Sequence, residues 1–393
     1  MAKTRDDLDP ETLLVTGGRS PDPHVVNTPI YRASTHLYED CAALRAGTKT
    51  NADGTFFYGR RGGPTQWALC EALAALEPGA EGTVLYPSGA AAIAGALLAV
   101  LSPGDVVLIT DNVYETSRVI AGGILKRMGI EARYFDPLDT DGFARQFCDR
   151  TRAVLLESPG SLTMEICDIP ALAATARSRS AAVLIDNTWA SVAGFKSLSH
   201  GCDIAIEALT KHVGGHSDLM MGACTAGPEW YGKLRITAQE IGHVVSPDDA
   251  ALALRGLRTL GVRLERETAS ALRIAEWLAG RSEVAEVLCP MLPGAPGHAL
   301  WQRDYTGGCG LFSFVLADGY DDAARCRLID ALELFGIGYS WGGFESLATP
   351  VHALRTATRW PAERLAVRLS IGLENPGALI ADLERGLAAL KGA

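Results

Sequence analysis

A chain of 393 residues that is 48% hydrophobic and 21% charged has the composition of an ordinary soluble globular protein, long enough for about two to three domains. A net charge of −10 argues against nucleic acid as a partner, which needs a concentrated basic footprint, although local arginines and helix N-termini could still bind small anions. The first ten residues hold no apolar leader core and residues 90–101 fall short of the ~20 needed to span a bilayer, while nine cysteines without a Cys-x-x-Cys pair suggest a reduced, cytoplasmic chain.

Residues 1–60 read as an irregular arm, with prolines at 10, 21, 23 and 29 and few apolar runs. Such a segment makes no core of its own and is expected to lie across something else, a partner subunit included. It ends in Phe56-Phe-Tyr-Gly-Arg-Arg-Gly-Gly-Pro-Thr65, where Tyr58 and Arg60 either contact an anion or sit in a solvated loop. Helical spacing of Trp67, Leu69, Leu73 and Leu76 follows, closed by Pro78-Gly79. Next come a short strand from Gly82, the turn Ser88-Gly89-Ala90 and an alanine-rich helix over 91–101. The first N–H groups of a helix are free and its dipole favours negative charge, so this turn can cradle a phosphate; a Ser N-cap with nothing bound is the plainer alternative.

Buried strands are expected at 104–114, ending at Tyr114, at 129–135 and at 151–159, with helical segments among them. That alternation indicates a βαβ architecture with a mostly parallel sheet. Ala181-Ala-Val-Leu-Ile-Asp-Asn-Thr-Trp189 is a further strand, ending in Asp186, and Ile204-Ala-Ile-Glu-Ala-Leu-Thr-Lys211 runs into a lysine and then a glycine pair. An acid and an amine at the ends of neighbouring strands lie where open α/β sheets bind ligands, on the same edge as Tyr114 and Glu157. The cofactor that needs this pair is pyridoxal phosphate (PLP): a lysine to form an imine and an acid to keep the pyridine nitrogen protonated. A buried ion pair, or two unrelated surface charges, is the alternative.

His212 and His216 are four apart, but Gly214-Gly215 between them disfavours a helix, and no metal is expected. No Gly-x-Gly-x-x-Gly, Walker A or Gly-x-Ser-x-Gly pattern occurs, which removes the usual dinucleotide, NTP and serine-hydrolase readings. Residues 248–278 read as one long helix, with Leu252, Leu257, Leu260 and Leu264 on its apolar face, leading into a second domain. Residues 307–316 alternate as a strand, and 334–347 form a glycine-flexed loop holding Tyr339, Ser340 and Trp341. Arg368, alone in the apolar strand 365–371, is either half of a buried ion pair or a carboxylate receptor, which its planar fork suits. Asn375-Pro376 caps a last amphipathic helix through Leu379, Leu383, Leu387 and Leu390.

Several ordered motifs now point one way: Tyr-Gly-Arg-Arg-Gly-x-Pro-Thr at 58–65, Ser-Gly-Ala at 88–90, Glu-Ser-Pro at 157–159, Ile-Asp-Asn-Thr-Trp at 185–189 and Thr-Lys at 210–211. Gly-His-Ser-Asp at 215–218, Arg-Gly-Leu-Arg-Thr-Leu-Gly-Val-Arg-Leu at 255–264, Tyr-Ser-Trp-Gly-Gly-Phe-Glu-Ser-Leu at 339–347 and Arg-Leu-Ser-Ile-Gly-Leu-Glu at 368–374 complete the set. With these the chain resembles the Cys/Met-metabolism family of PLP enzymes from about Val25 onward, and within it the cystathionine β-lyase branch. The resemblance implies an α/β fold of the type I PLP-transferase kind. It would have an arm (1–60) reaching a neighbouring subunit, a large domain (61–255) around a mostly parallel seven-stranded sheet, and a smaller α+β C-terminal domain (256–393).

As the resemblance goes, Lys211 holds PLP and later works as acid and base, Asp186 with Thr188 beside it pairs with the pyridine nitrogen, and Tyr114 stacks on the ring. Ser88, Gly89, Ala90 and Thr210 bind the phosphate, joined by Tyr58 and Arg60 from a neighbouring subunit. Arg368 receives the substrate carboxylate, helped by Ser340 and Trp341. The implied reaction is β-elimination of a carbon–sulfur bond in a small amino-acid thioether, foremost L-cystathionine to homocysteine, pyruvate and ammonia in methionine biosynthesis. It would run in a homotetramer built as a dimer of dimers, with no membrane and no nucleic acid involved. Members that cleave at Cγ tend to carry glutamate where this chain has Tyr339 and a non-aromatic residue where it has Trp341. The chain departs from the wider family at Gly63, usually asparagine, and at Glu207-Ala208. Related thioethers, a γ-lyase or γ-synthase activity, and a binding protein on the same fold are the other readings.

Overall fold

The structure, a computed structural model, describes residues 8–49 and 54–391; residues 1–7 of the stretch read for a leader and 50–53 of the expected arm lie outside the described residues. Seven strands make the first sheet: β1 (Gly82–Tyr86), β2 (Val106–Thr110), β3 (Glu131–Phe135), β4 (Thr151–Glu157), β5 (Ala182–Asp186), β6 (Ile204–Glu207) and β7 (Gly222–Ala226). Their order is β1-β7-β6-β5-β4-β2-β3. β3, β2, β4, β5 and β6 run parallel, and β7 is antiparallel to both β6 and β1. β7 had no signal in the sequence because its residues, Gly-Ala-Cys-Thr-Ala, are small. All five are buried, and Gly222 must be small, since a Cβ there would lie 2.4 Å from the Ser88 carbonyl oxygen.

Parallel strands covered on both faces read as unbroken apolar runs, and their side chains divide by parity. Val106 and Leu108 of β2, Val154 and Leu156 of β4, and Val183 and Ile185 of β5 join one core, with the Pro64–Leu76 and Ile169–Ser178 helices. Val107, Ile109, Ala153, Leu155, Ala182 and Leu184 join the other, with the Gly89–Val100 helix. By this alternation Glu157 and Asp186, the last residues of β4 and β5, project on the face of the Gly89–Val100 helix, whose N-terminus lies at the same sheet edge. Strand parity therefore decides which acids meet the anion cradle.

A second, five-stranded sheet contains β8 (Val284–Leu288), β9 (Leu311–Leu316), β10 (Gly336–Ile337), β11 (Leu347–Pro350) and β12 (Ala366–Ser370), in the order β10-β11-β12-β9-β8. Buried Asp111, just after β2, ties it to the first: its carboxylate accepts N–H bonds from Thr356, Ala357 and Thr358 and a bond from the Thr358 hydroxyl. Trp189 Nε1 donates to the Leu311 carbonyl at 3.0 Å, and the Tyr305 hydroxyl donates to the Ser158 carbonyl at 2.8 Å.

Two sequence expectations change. The helix expected over 248–278 is two helices, Pro247–Leu257 and Leu260–Ala279. The chain turns where Gly256 meets the segment after Lys211: a Cβ on Gly256 would lie 2.0 Å from the Val213 carbonyl oxygen. Leu257, Leu260 and Leu264 are buried, but Leu252 is 38% exposed and lies off the apolar face. The N-terminal segment is not wholly irregular, because Pro10–Thr16 is a helix capped by Asp9, and its Leu13 and Leu14 join the core. From Ser20 to Tyr58 the described residues are mostly exposed.

Candidate active site

The Gly89–Val100 helix begins at Ser88, whose Oγ accepts from Ala91 N at 3.1 Å. Gly89 and Ala90 lead the first turn, so their N–H groups have no acceptor within the helix. Gly89 is a steric necessity, because a Cβ there would come 2.7 Å from the Ala208 methyl. These donors face a cleft of about 940 Å³, counting its open mouth, whose walls include Tyr114, Glu157, Asp186, Lys211, Trp341 and Arg368.

Asp186 lies at the cleft floor. Its Oδ1 accepts from the Thr188 hydroxyl at 2.5 Å and from Thr188 N at 3.0 Å, and the same hydroxyl accepts from Ala208 N at 2.9 Å. Burial still raises this carboxyl above its ordinary pKa, against the Thr188 bonds and the Lys211 charge. A carboxylate kept short of compensation in this way strongly favours a cation placed beside it. Neighbouring Glu157 is raised further by burial and then by Asp186, and it accepts from Tyr114 N at 2.6 Å. That contact holds the start of the Glu115–Ile120 helix, with the Tyr114 ring half-exposed at the cleft wall.

Lys211 Nζ donates to Ser340 Oγ at 2.7 Å and lies 5.2 Å from the centre of the Trp341 ring. Desolvation, and then the Arg368 charge, lower its pKa to about 8, with Asp186 opposing. Arg368 projects from β12 between the fully buried Val367 and Leu369. Its Nη2 donates to the Ser340 carbonyl at 3.0 Å, and burial brings its pKa down to about 10. The first sheet thus supplies the amine and the acid, and the second supplies the guanidinium and the aromatic wall.

Of the residues expected from sequence, Ser88, Gly89, Ala90, Tyr114, Asp186, Thr188, Thr210, Lys211, Trp341 and Arg368 line this one cleft, and Ser340 reaches it through Lys211. The Thr210 hydroxyl is engaged with the Met221 backbone, donating to its carbonyl at 3.1 Å and accepting from its N–H at 3.0 Å. Tyr339 is 94% exposed and is not among the residues lining the cleft, although its charge acts on Arg368. Tyr58 and Arg60 are also outside it: Tyr58 is 47% exposed, and Arg60 Nη1 donates to the Gln239 carbonyl at 2.7 Å. His212 bonds the Trp189 carbonyl and His216 the Gly214 carbonyl; no cluster of three or more His, Cys, Asp or Glu side chains that could hold a metal occurs among the described residues. The sequence reading assigned no role to Leu162, Met164 and Met220, which also line the cleft. The signal for the first two was the Glu-Ser-Pro turn, since Leu162 and Met164 both take left-handed backbone conformations just after it.

Residues 11–388 match the family model for the Cys/Met metabolism PLP-dependent enzymes, and the chain belongs to that family. It is 43% identical to the cystathionine β-lyase MetC of Escherichia coli (strain K12), over 96% of this chain and 98% of that one. It is 35% identical to an L-alanine/L-glutamate racemase of Wolbachia pipientis wMel, over 97% of this chain and 97% of that one. Among solved structures, metB from Corynebacterium glutamicum superposes with a TM-score of 0.91 at 30% identity, covering 99% of this chain and 100% of that one.

Proposed function

We propose that this PLP-dependent family member breaks the Cβ–S bond of an amino-acid thioether, with L-cystathionine as the substrate class member it takes best. The observation that carries the reading is the convergence of Lys211 Nζ, the Asp186 carboxylate and the Arg368 guanidinium on the cleft headed by the Ser88-Gly89-Ala90 turn.

The residues fit the cofactor. Gly89 and Ala90 N–H and the Ser88 hydroxyl would hold the phosphate, where any side chain on Gly89 would collide with Ala208. Asp186 would hold the ring nitrogen protonated, as its unrelieved burial favours, and Tyr114 would cover the ring face. Lys211 would hold the aldehyde carbon. When bound, PLP supplies an electron sink for negative charge developing at the substrate Cα.

Arg368 captures the substrate α-carboxylate through its fork and so orients the Cα–H bond. Lys211, with its pKa near 8, is partly neutral at physiological pH, and its Nζ takes the Cα proton. The Cβ–S bond then breaks with its electron pair leaving on sulfur, and the proton held at Nζ is available to the departing thiolate. Trp341 and the Ser340 hydroxyl keep Nζ on the side of the cleft facing Arg368. Addition of one water to the remaining three-carbon fragment balances the products as homocysteine, pyruvate and ammonia. Tyr339 and Trp341, the two aromatic residues flanking Ser340, favour β- over γ-cleavage in this reading, Trp341 from the cleft wall.

The arm completes the site from a second copy in a homotetramer. Leu37 (94% exposed), Val26 (74%) and Tyr58 lie uncovered on this chain, and Tyr58 and Arg60 are outside its own cleft. Nine free cysteines accord with a cytoplasmic location; no helix among the described residues is long and apolar enough to cross a membrane. The PLP-loaded chain should release pyruvate from L-cystathionine, and Lys211→Ala should abolish it; full turnover by that variant would refute the assignment. Mixing inactive Arg60→Ala with inactive Lys211→Ala subunits should recover part of the activity, and no recovery in any ratio would refute the shared site.

A further inference from the structure

Behind the cleft wall the fold buries an imidazole and a carboxyl that the proposed reaction does not use. His212 follows Lys211 and is 1% exposed; Glu267, on the Leu260–Ala279 helix, is 0% exposed. His212 Nε2 lies 3.1 Å from the Trp189 carbonyl oxygen, which can only accept, so Nε2 carries a hydrogen. His212 Nδ1 faces Glu267 Oε2 at 3.7 Å, and neither Nδ1 nor either Glu267 oxygen has a hydrogen-bond partner among the described residues. A neutral imidazole would turn a lone pair on a carboxylate, two acceptors face to face in a dry interior, unless one proton lies between them.

We propose that Glu267 and His212 share that proton and act as a positioning pair, the Glu267 carboxyl donating to His212 Nδ1 and so fixing the imidazole that backs Trp341 and the Lys211 turn. Closing the gap to hydrogen-bond length takes a movement of about 0.8 Å. The neighbouring groups leave the proton there. Arg263, one turn earlier on the helix, commits its guanidinium to the carbonyls of His212 (2.7 Å) and Gly256 (2.8 Å) and to the Thr259 hydroxyl (3.2 Å). Buried Ser270 and Cys309 beside the pair carry no charge, and the Lys211 cation disfavours a charged imidazole as Arg263 does. Burial, opposed by Arg263, pushes Glu267 up to about 8, and burial, then Arg263, pushes His212 down to about 3, the pattern of a neutral acid against a neutral base.

The imidazole meets the Trp341 ring edge-on, 5.2 Å between centroids at 63°, and the other approach to Trp341 belongs to Lys211 Nζ. Gly342 folds the loop onto the same ring: it has a φ of +74°, and a Cβ there would lie 2.9 Å from Nδ1. Rotation of an unpinned imidazole would therefore displace Trp341 and, through it, the Ser340 contact to Lys211.

Glu267→Gln keeps an N–H donor for Nδ1, whereas Glu267→Leu does not. The first reading is the fluorescence of Trp341 in the cofactor-free chain, taken as the difference from the same protein carrying Trp341→Phe. It should be unchanged in Glu267→Gln and altered in Glu267→Leu; Gln and Leu changing together, or neither changing, overturns the pair. In the loaded enzyme, and resting on the proposed reaction, Glu267→Leu should lower kcat about 10-fold with KM within about 3-fold, and Glu267→Gln should stay near wild type. Should Glu267→Leu alone fold poorly, the stability cycle with His212→Phe decides: the double variant must unfold at higher urea than His212→Phe, and a lower midpoint overturns the proposal. Fluorescence and unfolding need no turnover, so their failure condemns the pair, while a wild-type chain without lyase activity condemns the reaction instead.

Discussion

Lys211 Nζ and Ser340 Oγ, 129 residues apart in the chain, are joined by a 2.7 Å hydrogen bond across the seam between the two sheets. Ser340 makes this contact from a left-handed backbone conformation, φ +79°, while its carbonyl accepts from Arg368. One strained residue thereby joins the amine of the first sheet to the guanidinium of the second. Strain of this kind, in a non-glycine residue, costs about 1–3 kcal/mol and persists where the surroundings over-determine it.

The strain and the hydroxyl separate by substitution. Ser340→Ala and Ser340→Gly both lose the bond to Lys211 and should lower turnover alike. Only glycine relieves the backbone, so the Gly variant should be more stable than the Ala variant by about 1 kcal/mol. Urea midpoints check this, and an Ala variant as stable as the Gly variant would remove strain from the account.

The phosphate cradle predicts a rescue. Gly89→Ala places a methyl against Ala208, an overpacking of about 1–3 kcal/mol that also displaces the leading N–H groups. PLP affinity should fall, and adding Ala208→Gly should restore most of it. Equilibrium dialysis of the cofactor reads both, and an unaffected Gly89→Ala would move the phosphate elsewhere.

Arg368→Lys keeps the charge but loses the fork. A charge-assisted hydrogen bond contributes about 1.5–3 kcal/mol, so KM for amino-acid substrates should rise about 10- to 150-fold. Steady-state kinetics with a substrate lacking the α-carboxylate should show no such difference between the two proteins.

Stability should fall as pH rises from about 6.5 to 8. Burial raises Glu77 and Glu207 to about 7 and Glu267 to about 8. From their unfolded pKa of 4.5 up to those values the native state holds protons that the unfolded chain has released, so each step up in pH favours unfolding. His212, lowered to about 3, has the opposite sign but acts only below its unfolded value of 6.5. Urea midpoints of the cofactor-free chain should therefore decline across this window, and Glu267→Gln should flatten the decline.

Much of the site was legible in the chain because strand ends carry chemistry: β5 ends at Asp186 and β6 leads to Lys211, each after an apolar run. Arg368 stood out as one charge among apolar neighbours. Less visible was anything set by packing between distant segments. The break at Arg258-Thr259 follows from Gly256 pressing on Val213, and β7 is small because it touches the Ser88 turn. From sequence His212 is weighed only as a metal ligand and set aside, because its partner, Glu267, is 55 residues away on a helix whose buried face gave no hint of an acid. Tyr339 and Trp341 are two apart in one loop, and sequence could not tell which lines the cleft; the ring beside Lys211 is that of Trp341.

The products formed from L-cystathionine test the central claim most directly. The cleft with Trp341 beside Lys211 and Arg368 predicts homocysteine, pyruvate and ammonia in equal amounts from the PLP-loaded chain. Cysteine with 2-oxobutyrate as the main products would contradict it.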